Sequence, residues 1–532
     1  MSPSSSSHTR RALLVVAGWA VALLISQHPV IFSGLRLMQG DEGDARFVHY
    51  VLEHGWRNIT GVPANASFWD PNMFHPALNT AAYSEVMLGV APAYWVWRAL
   101  GLEEDLAWQA WCLTMGSLNF LVAAWFLARP LGLRLGPAVM GAILFTVGAS
   151  RINQANHPQL LAQFYPLLAI AAVLALLRPE MTRRQGAPWA ALLVASGVAQ
   201  LYGGFYWGWF LFFFLLLATV IALCLRDLRP RLVSALRTHA PALVLFGIVG
   251  LAVLAPLVLH ARQVIREVGL RDFSEAQSMI PRFWSWFYLG QDSWLYGWTN
   301  PFVRFQRLPI PWEQRLGLGL VTTGVAAVGL WKARSRPGIR LLLLVTVVTV
   351  LLSTRYAGGI MPWELIFHVV PGASAIRAVA RMGIWLLLPA SVGLALFLQR
   401  QWDAGRVVLA VGLGALCLLE QGLTGPTFDR FASRAAIRAL SARIPSGCDS
   451  FFYSPTSDEW PSWKYQVDAI WAAMETGVPT VNGYSGNMPR GWRLEDITRL
   501  DAAAAARQDA ALEDWVRARG LSRERICRIE SQ

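Results

Sequence analysis

Charged residues are scarce in this chain of 532 residues. They make up 15% of it, against 55% hydrophobic residues, and the mean hydropathy is positive. A soluble protein of this size needs more surface charge, so the balance argues against a water-soluble enzyme and predicts a membrane protein. The formal net charge of +13 does not indicate nucleic-acid binding, because most arginines stand in short clusters between apolar runs, where orientation in a membrane explains them.

The sequence also lacks internal repeats and, beyond its serine-rich start, low-complexity tracts. The opening MSPSSSSHTRR has the basic flank of a signal peptide. The apolar run behind it continues through IFSG without a small-residue cleavage site, so we expect a retained first membrane span.

Apolar runs of spanning length recur along the chain and predict about eleven transmembrane helices. They lie at 11–32, 106–128, 135–151, 158–178, 187–205, 206–225, 240–260, 314–332, 339–354, 377–399 and 406–424. The short basic linkers between them fall on one side if the chain enters at Arg10 and Arg11, and the positive-inside rule makes that side cytoplasmic.

The segment 84–100 is apolar enough to resemble another span. Counting it would move every later basic linker to the outer side, so we expect it to lie along the outer membrane interface. The first loop (33–104), the second loop (261–313) and the tail (from 425) then face the exterior, where we expect the chemistry.

The predicted fold is an all-α polytopic membrane domain over 1–424, followed by a small α/β domain over 425–532. The tail has the pattern of alternating helices and strands. Cys448 and Cys527 both fall in its predicted strands, and an oxidising exterior would permit a disulfide between them. Two buried free thiols are the alternative.

Three acids, Asp41, Glu42 and Asp44, follow the first span within four residues. Carboxylates beside a membrane core are costly unless they are paired, hydrated or bound to a cation. Such a cluster suits a hard divalent ion, Mg²⁺ or Mn²⁺, held by Asp41 and Asp44, and a carboxylate beside a hydroxyl can act as general base. The alternative is a solvated loop that caps the next helix.

Further polar groups stand at the same side. In the first loop, Asp70 and His75 lie among aromatic residues that suit a sugar, or that form an ordinary interfacial belt. His157 lies in the polar turn RINQANHPQL. Arg377 and Arg381, four residues apart, are expected on one helical face, where they would hold a lipid phosphate or simply extend to the interface.

The segments GDEGDARFVHYVLEHGW, FWDPNMFHP, NQANHPQLLAQFYPLL, VPGASAIRAVAR and TGVPTVNGYSG resemble recurring segments of a bacterial membrane-protein group within the GT-C superfamily of glycosyltransferases. The resemblance implies inverting sugar transfer from a polyprenyl-phosphate donor, with a carboxylate at the outer face as base. On the matching motif, Asp41 and Asp44 are the catalytic residues, and some members use a metal there. The chain lacks the WWDYG-type signature, so protein N-glycosylation is not expected.

The predicted protein is thus a glycosyltransferase of the bacterial inner membrane, with a cytoplasmic N-terminus and a periplasmic tail. Its partners would be the lipid bilayer, the lipid-linked sugar, and a glycan, lipid or protein acceptor, with no nucleic acid. Glu42, Asp70, His75, His157, Arg377 and Arg381 are the expected substrate-binding residues. The alternative is a non-catalytic lipid-glycan transporter or an assembly protein, although the near absence of charge within the spans and of repeats favours an enzyme.

Overall fold

The computed structural model describes residues 3–530, which are mostly helical. The first part contains α1 (Pro3–Phe32), α2 (Asp44–Ile59), α3 (Ala91–Ala99), α4 (Glu104–Ala128), α5 (Leu135–Val147), α6 (Ala149–Ile152), α7 (Phe164–Leu176), α8 (Arg183–Gly203), α9 (Phe205–Cys224) and α10 (Arg229–Val268). The second part contains α11 (Phe273–Gln277), α12 (Val303–Gln306), α13 (Leu320–Lys332), α14 (Pro337–Leu352), α15 (Trp363–Val369), α16 (Met382–Trp385), α17 (Leu387–Asp403) and α18 (Val407–Leu419). The tail contains α19 (Arg430–Ser441), α20 (Ser462–Thr476) and α21 (Ala502–Arg519). The strands are β1 (Leu37–Gln39), β2 (Thr427–Asp429), β3 (Ser450–Ser454) and β4 (Ile526–Glu530).

Seven helical segments within residues 3–530 are long and apolar enough to cross a membrane. They are His8–Phe32, Glu104–Ala128, Leu135–Ile152, Pro158–Leu176, Phe205–Cys224, Arg229–Val268 and Val379–Asp403. Helices α13, α14 and α18 are apolar but shorter, and α8 begins with two arginines. Each of the eleven predicted runs contains a helix, but the count of eleven crossings stays a prediction.

The segment 84–100 contains only the nine-residue helix α3. At 1.5 Å per residue, a helix of this length reaches about 14 Å and cannot cross a hydrocarbon core of about 30 Å. It packs beside α2 and α4. Its length therefore agrees with leaving this segment out of the predicted spans.

A short antiparallel pair ties the two ends of the helical part together. Strand β1, which ends two residues before Asp41, pairs with β2, which begins eight residues after the end of α18, with Met38 opposite Phe428. Arg36 Nε lies 2.6 Å from Asp429 Oδ2 beside the pair. The backbone that leads into Asp41 is therefore held against the start of the tail.

The tail contains a parallel pair, β3 with β4, in register Ser450 to Ile526. The stretch PTVNG (479–483) joins this pair through one bridge, between Phe451 and Thr480. The tail's hydrophobic core also includes Phe47, Tyr50 and Phe74 from the first loop. Packing thus crosses the predicted boundary at 425, since tail and first loop bury their apolar side chains against each other.

Cys448 and Cys527 are joined by a disulfide whose Cα atoms lie 5.8 Å apart. Cys527 lies in β4, whereas Cys448 lies two residues before β3, outside the strand in which it was expected. The bond closes a sequence separation of 79 residues and links the start of the tail to its last strand.

Replacing Cys448 with serine should destabilise the tail by about 2–5 kcal/mol, because the disulfide restricts the unfolded chain. Thermal unfolding of the full chain in detergent, with and without dithiothreitol, measures the effect. The exposed free cysteine Cys224 gives the control, and Cys224→Ser should leave the melting temperature unchanged. Equal melting of both variants would contradict a stabilising disulfide.

Candidate active site

The acidic motif forms the N-terminus of α2. Asp41 caps this helix, because its Oδ1 accepts hydrogen bonds from the backbone N–H groups of Gly43 at 3.2 Å and Ala45 at 3.0 Å. Burial raises the pKa of Asp41 to about 6, and the negative charge of Asp44 adds to the shift. Asp41 is therefore the residue of this loop that caps α2, the role predicted from the sequence as the alternative to catalysis.

The raised pKa of Asp41 makes the stability of the fold depend on pH. Its folded-state pKa of about 6 lies above the ordinary value of 3.8, so its proton stabilises the fold below pH 4, and that stabilisation is lost as the pH rises through 6. Asp41→Asn stays neutral throughout. We expect it to raise the free energy of unfolding by up to about 3 kcal/mol above pH 6, and to lose this advantage below pH 4. Thermal unfolding across pH checks this, and an advantage that is the same at every pH would contradict it.

Asp44 is held by two side chains from distant parts of the sequence. Its Oδ1 accepts a hydrogen bond from the hydroxyl of Tyr484, and its Oδ2 lies 3.2 Å from His157 Nε2. Burial, and then the charge of Asp44, raises the pKa of Tyr484, so the hydroxyl keeps its proton and donates. The Asp44 side chain stays 36% exposed, which leaves it accessible to a substrate.

His157 connects Asp44 to a buried ion pair. Burial, and then the charge of Arg381, lowers the pKa of His157 to about 4, so the ring is neutral at pH 7 and has one N–H to donate. Its Nε2 lies 3.8 Å from Glu313 Oε1, and the same oxygen lies 3.1 Å from Arg381 Nη2. Burial is the largest single effect on Glu313 and works to raise its pKa, but the charge of Arg381, the hydrogen bond from Arg381 and the other nearby positive charges together lower it. Glu313 therefore compensates the charge of Arg381.

Arg377 and Arg381 do not share a helical face, so that prediction is wrong. A short 3-10 turn ends at Ala375, the backbone of Ile376 is extended, and a second 3-10 turn begins at Val379. Arg381 is buried, with its guanidinium 4.9 Å from the ring centre of Tyr206. Arg377 is exposed.

Arg377 is the free cation beside this network. Within residues 3–530 it forms no ion pair, yet its positive charge lowers the pKa values of His157, Glu313 and Tyr484 as a secondary cause in each case. A guanidinium that is exposed, close to the acidic motif and not neutralised by a carboxylate can bind an anionic group of a substrate.

Helix α20 closes the other side of the motif. Lys464 Nζ lies 3.5 Å from Glu42 Oε1 and 2.9 Å from Asp468 Oδ2. Gly43 lies against the ring of Trp463, and a Cβ atom added to this glycine would come within 3.1 Å of that ring. Glu42 thus binds the tail, which makes it a positioning residue by its contacts.

Asp70 and His75 lie away from this cluster. Asp70 accepts hydrogen bonds from Ser67 Oγ and, at 2.6 Å, from the backbone N–H of Asn79, which orders the first loop. The His75 backbone N–H donates to Thr480 at 2.9 Å, and its carbonyl accepts from Trp515 Nε1 at 2.9 Å. Their contacts fix loop and tail, so substrate binding by either stays a prediction from sequence.

The metal prediction does not fit the arrangement. In the part of the chain that the structure describes, no three His, Cys, Asp or Glu side chains come together in a group that would hold an ion. Asp41 is engaged in capping α2, and both oxygens of Asp44 are engaged by Tyr484 and His157. No step below depends on Mg²⁺ or Mn²⁺.

Sequence reasoning missed Glu313, Tyr484 and Lys464. Tyr484 lies in the segment NGYSG, which was singled out without a role, and 440 residues separate it from Asp44. Glu313 is a lone carboxylate at the apolar end of the second loop. A single acid in an apolar stretch is the only signal in the sequence that could have identified it.

No family model matches the chain, and no curated protein matches it either. The GT-C resemblance therefore rests on the quoted segments alone.

Proposed function

We propose that this protein is an integral membrane glycosyltransferase that transfers a sugar from a polyprenyl-phosphate donor to an acceptor hydroxyl. The observation that carries the proposal is the Asp44 carboxylate, partly exposed and oriented by Tyr484 and His157, beside Arg377, a cation that forms no ion pair within residues 3–530. A base for the attacking hydroxyl and a positive charge for the leaving phosphate are the two groups that such a transfer requires.

In this mechanism Asp44 is the general base. It takes the proton of the acceptor hydroxyl while the hydroxyl oxygen bonds to the anomeric carbon of the sugar. The bond between that carbon and the phosphate oxygen breaks, and the lipid phosphate leaves with the electron pair, so the configuration inverts. Arg377 stabilises the charge on the leaving phosphate. Glu313, which is paired with Arg381, lies beside His157, and His157 with Tyr484 fixes the orientation of Asp44.

A lipid-borne donor suits the surroundings of Glu313. The preceding residue, Trp312, is 61% exposed, and Trp294, Trp298 and Phe302 of the same loop also expose their rings. Exposed tryptophans are typical of the membrane–water interface. We place this loop in the outer leaflet, with the donor entering from the side and its phosphate stopping at Arg377.

The proposed topology follows the basic linkers. About eleven crossings of the bacterial inner membrane, with the N-terminus in the cytoplasm, put both loops and the tail in the periplasm. That compartment is oxidising, which agrees with the disulfide between Cys448 and Cys527.

Deletion of the gene in its source organism tests the function. Mass spectrometry of the envelope glycans should then show the loss of one sugar, and lipid extracts should show its polyprenyl-phosphate form accumulating in the outer leaflet. A transporter would instead leave that lipid in the inner leaflet, where an impermeant periodate probe does not reach it. Unchanged envelope glycans, or an accumulated lipid that the probe does not oxidise, would contradict the proposal.

A further inference from the structure

A second polar site lies beneath the acidic motif, within the helical part. A cavity of about 60 Å³ is enclosed by the end of α1, the start of α4, the turn after α5 and the residues leading into β2. Its lining includes Gly40, directly before Asp41, and Ala155, two residues before His157. At roughly 10–15 Å³ for each water-sized position, the cavity accommodates about four to six oxygen atoms.

The lining contains a buried cation without an anion. Four arginines among the described residues are buried, namely Arg46, Arg151, Arg381 and Arg434. Carboxylates lie within 3.1 Å of the other three, Asp105 for two of them and Glu313 for Arg381. Arg151, 5% exposed, instead donates to the backbone carbonyls of Leu161 and Phe145 and to Gln163 Oε1. Its charge is therefore not neutralised by any carboxylate in residues 3–530.

Four of the side chains that line this cavity carry polar atoms without a hydrogen-bond partner within residues 3–530. Trp108, 1% exposed, lines it, and its Nε1–H has no hydrogen-bond partner among the described residues. The same holds for Arg151 Nε, for both polar atoms of the Gln39 side chain and for Gln27 Oε1. Buried polar groups are rarely left without partners. Four side chains with free atoms around one small cavity therefore indicate a polar ligand.

We propose that this cavity binds a phosphate group. A tetrahedral oxyanion fits the available volume, neutralises Arg151, and accepts hydrogen bonds from Arg151 Nε, Trp108 Nε1 and the Gln39 amide. The protonated oxygen of a monoanion can donate to Gln27. Helix α1 buries only 22% of its apolar window against the rest of the protein, so a lipid phosphate can reach the cavity beside it. This site is separate from Arg377 and does not depend on glycosyl transfer.

Thermal unfolding of the full-length chain in detergent tests the proposal. The probes are inorganic phosphate, with chloride at the same ionic strength as reference, and dihexanoyl phosphatidic acid, with dihexanoylglycerol as reference. The wild-type melting temperature should rise in a saturable manner. Saturation by inorganic phosphate identifies a site for the free ion, and saturation by the lipid alone identifies a headgroup site. Absence of a saturable shift with both probes overturns the proposal.

Two variants locate the binding. Trp108→Phe removes one donor and keeps the ring packed, so half-saturation should need about tenfold more ligand, as for loss of one charge-assisted hydrogen bond. Gln39→Glu places an internal carboxylate beside Arg151, so it should melt higher than wild type without ligand and lose the phosphate response. Trp363→Phe is the control, because Trp363 is equally buried and its Nε1 also has no partner within residues 3–530, but Trp363 does not line the cavity. A wild-type phosphate response in both Trp108→Phe and Gln39→Glu contradicts the proposal. A response that is weakened or lost in these two variants but unchanged in Trp363→Phe supports it.

Discussion

Changing Asp44 to asparagine should lower sugar transfer by about 10²–10⁴-fold, the contribution expected of a general base. The amide keeps the size of the carboxylate and can still accept the hydrogen bond from Tyr484, but it cannot take a proton from the acceptor. The expected loss is therefore in kcat, with little change in KM for the lipid donor. Complementation of the deletion strain, followed by quantification of the missing envelope sugar, measures the effect in cells.

The fold of the Asp44→Asn variant must be shown to be intact for this result to count. Its melting temperature and its level in the membrane should match those of the wild type. Asp403→Asn is a suitable control, because Asp403 is an exposed carboxylate that pairs with Arg134 at 3.0 Å, away from the acidic motif. Restoration of the sugar by Asp44→Asn to the level given by Asp403→Asn would remove Asp44 from the mechanism.

The sequence predicted the helices well because long apolar runs have one stable solution in a bilayer, the hydrogen-bonded helix. It also separated 84–100 from the spans through the charge of the linkers, and the structure forms only the short helix α3 there. These signals are local, since each depends on residues within one run or its flanks. The number of crossings stays a prediction, because α13, α14 and α18 are shorter than the seven segments of spanning length.

The candidate site was only partly predictable, because its contacts join distant segments. The acids were found as a motif, whereas Tyr484 reaches Asp44, and Glu313 reaches His157, only through the folding of the tail and the second loop. The expected helix over Arg377 and Arg381 failed for a related reason. The backbone N–H of Ala378 donates to Tyr206 Oη at 3.1 Å, and that of Ala380 donates to the Met279 carbonyl at 2.9 Å. Tertiary partners thus take hydrogen bonds that a helix would have used.

Arg377 is the residue whose loss should have the second largest effect. Arg377→Ala should lower kcat by about 10²–10³-fold, because one positive donor at the leaving phosphate is removed. Arg377→Lys keeps the charge without the planar fork and should recover most of that loss. Arg266 provides the control, since it is an exposed arginine at the end of α10, and Arg266→Ala should transfer sugar at the wild-type rate. Steady-state kinetics in nanodiscs separate kcat from KM. An Arg377→Ala enzyme as fast as Arg266→Ala would show that the leaving phosphate is stabilised elsewhere, with Arg381 held by Glu313 as the next residue to test.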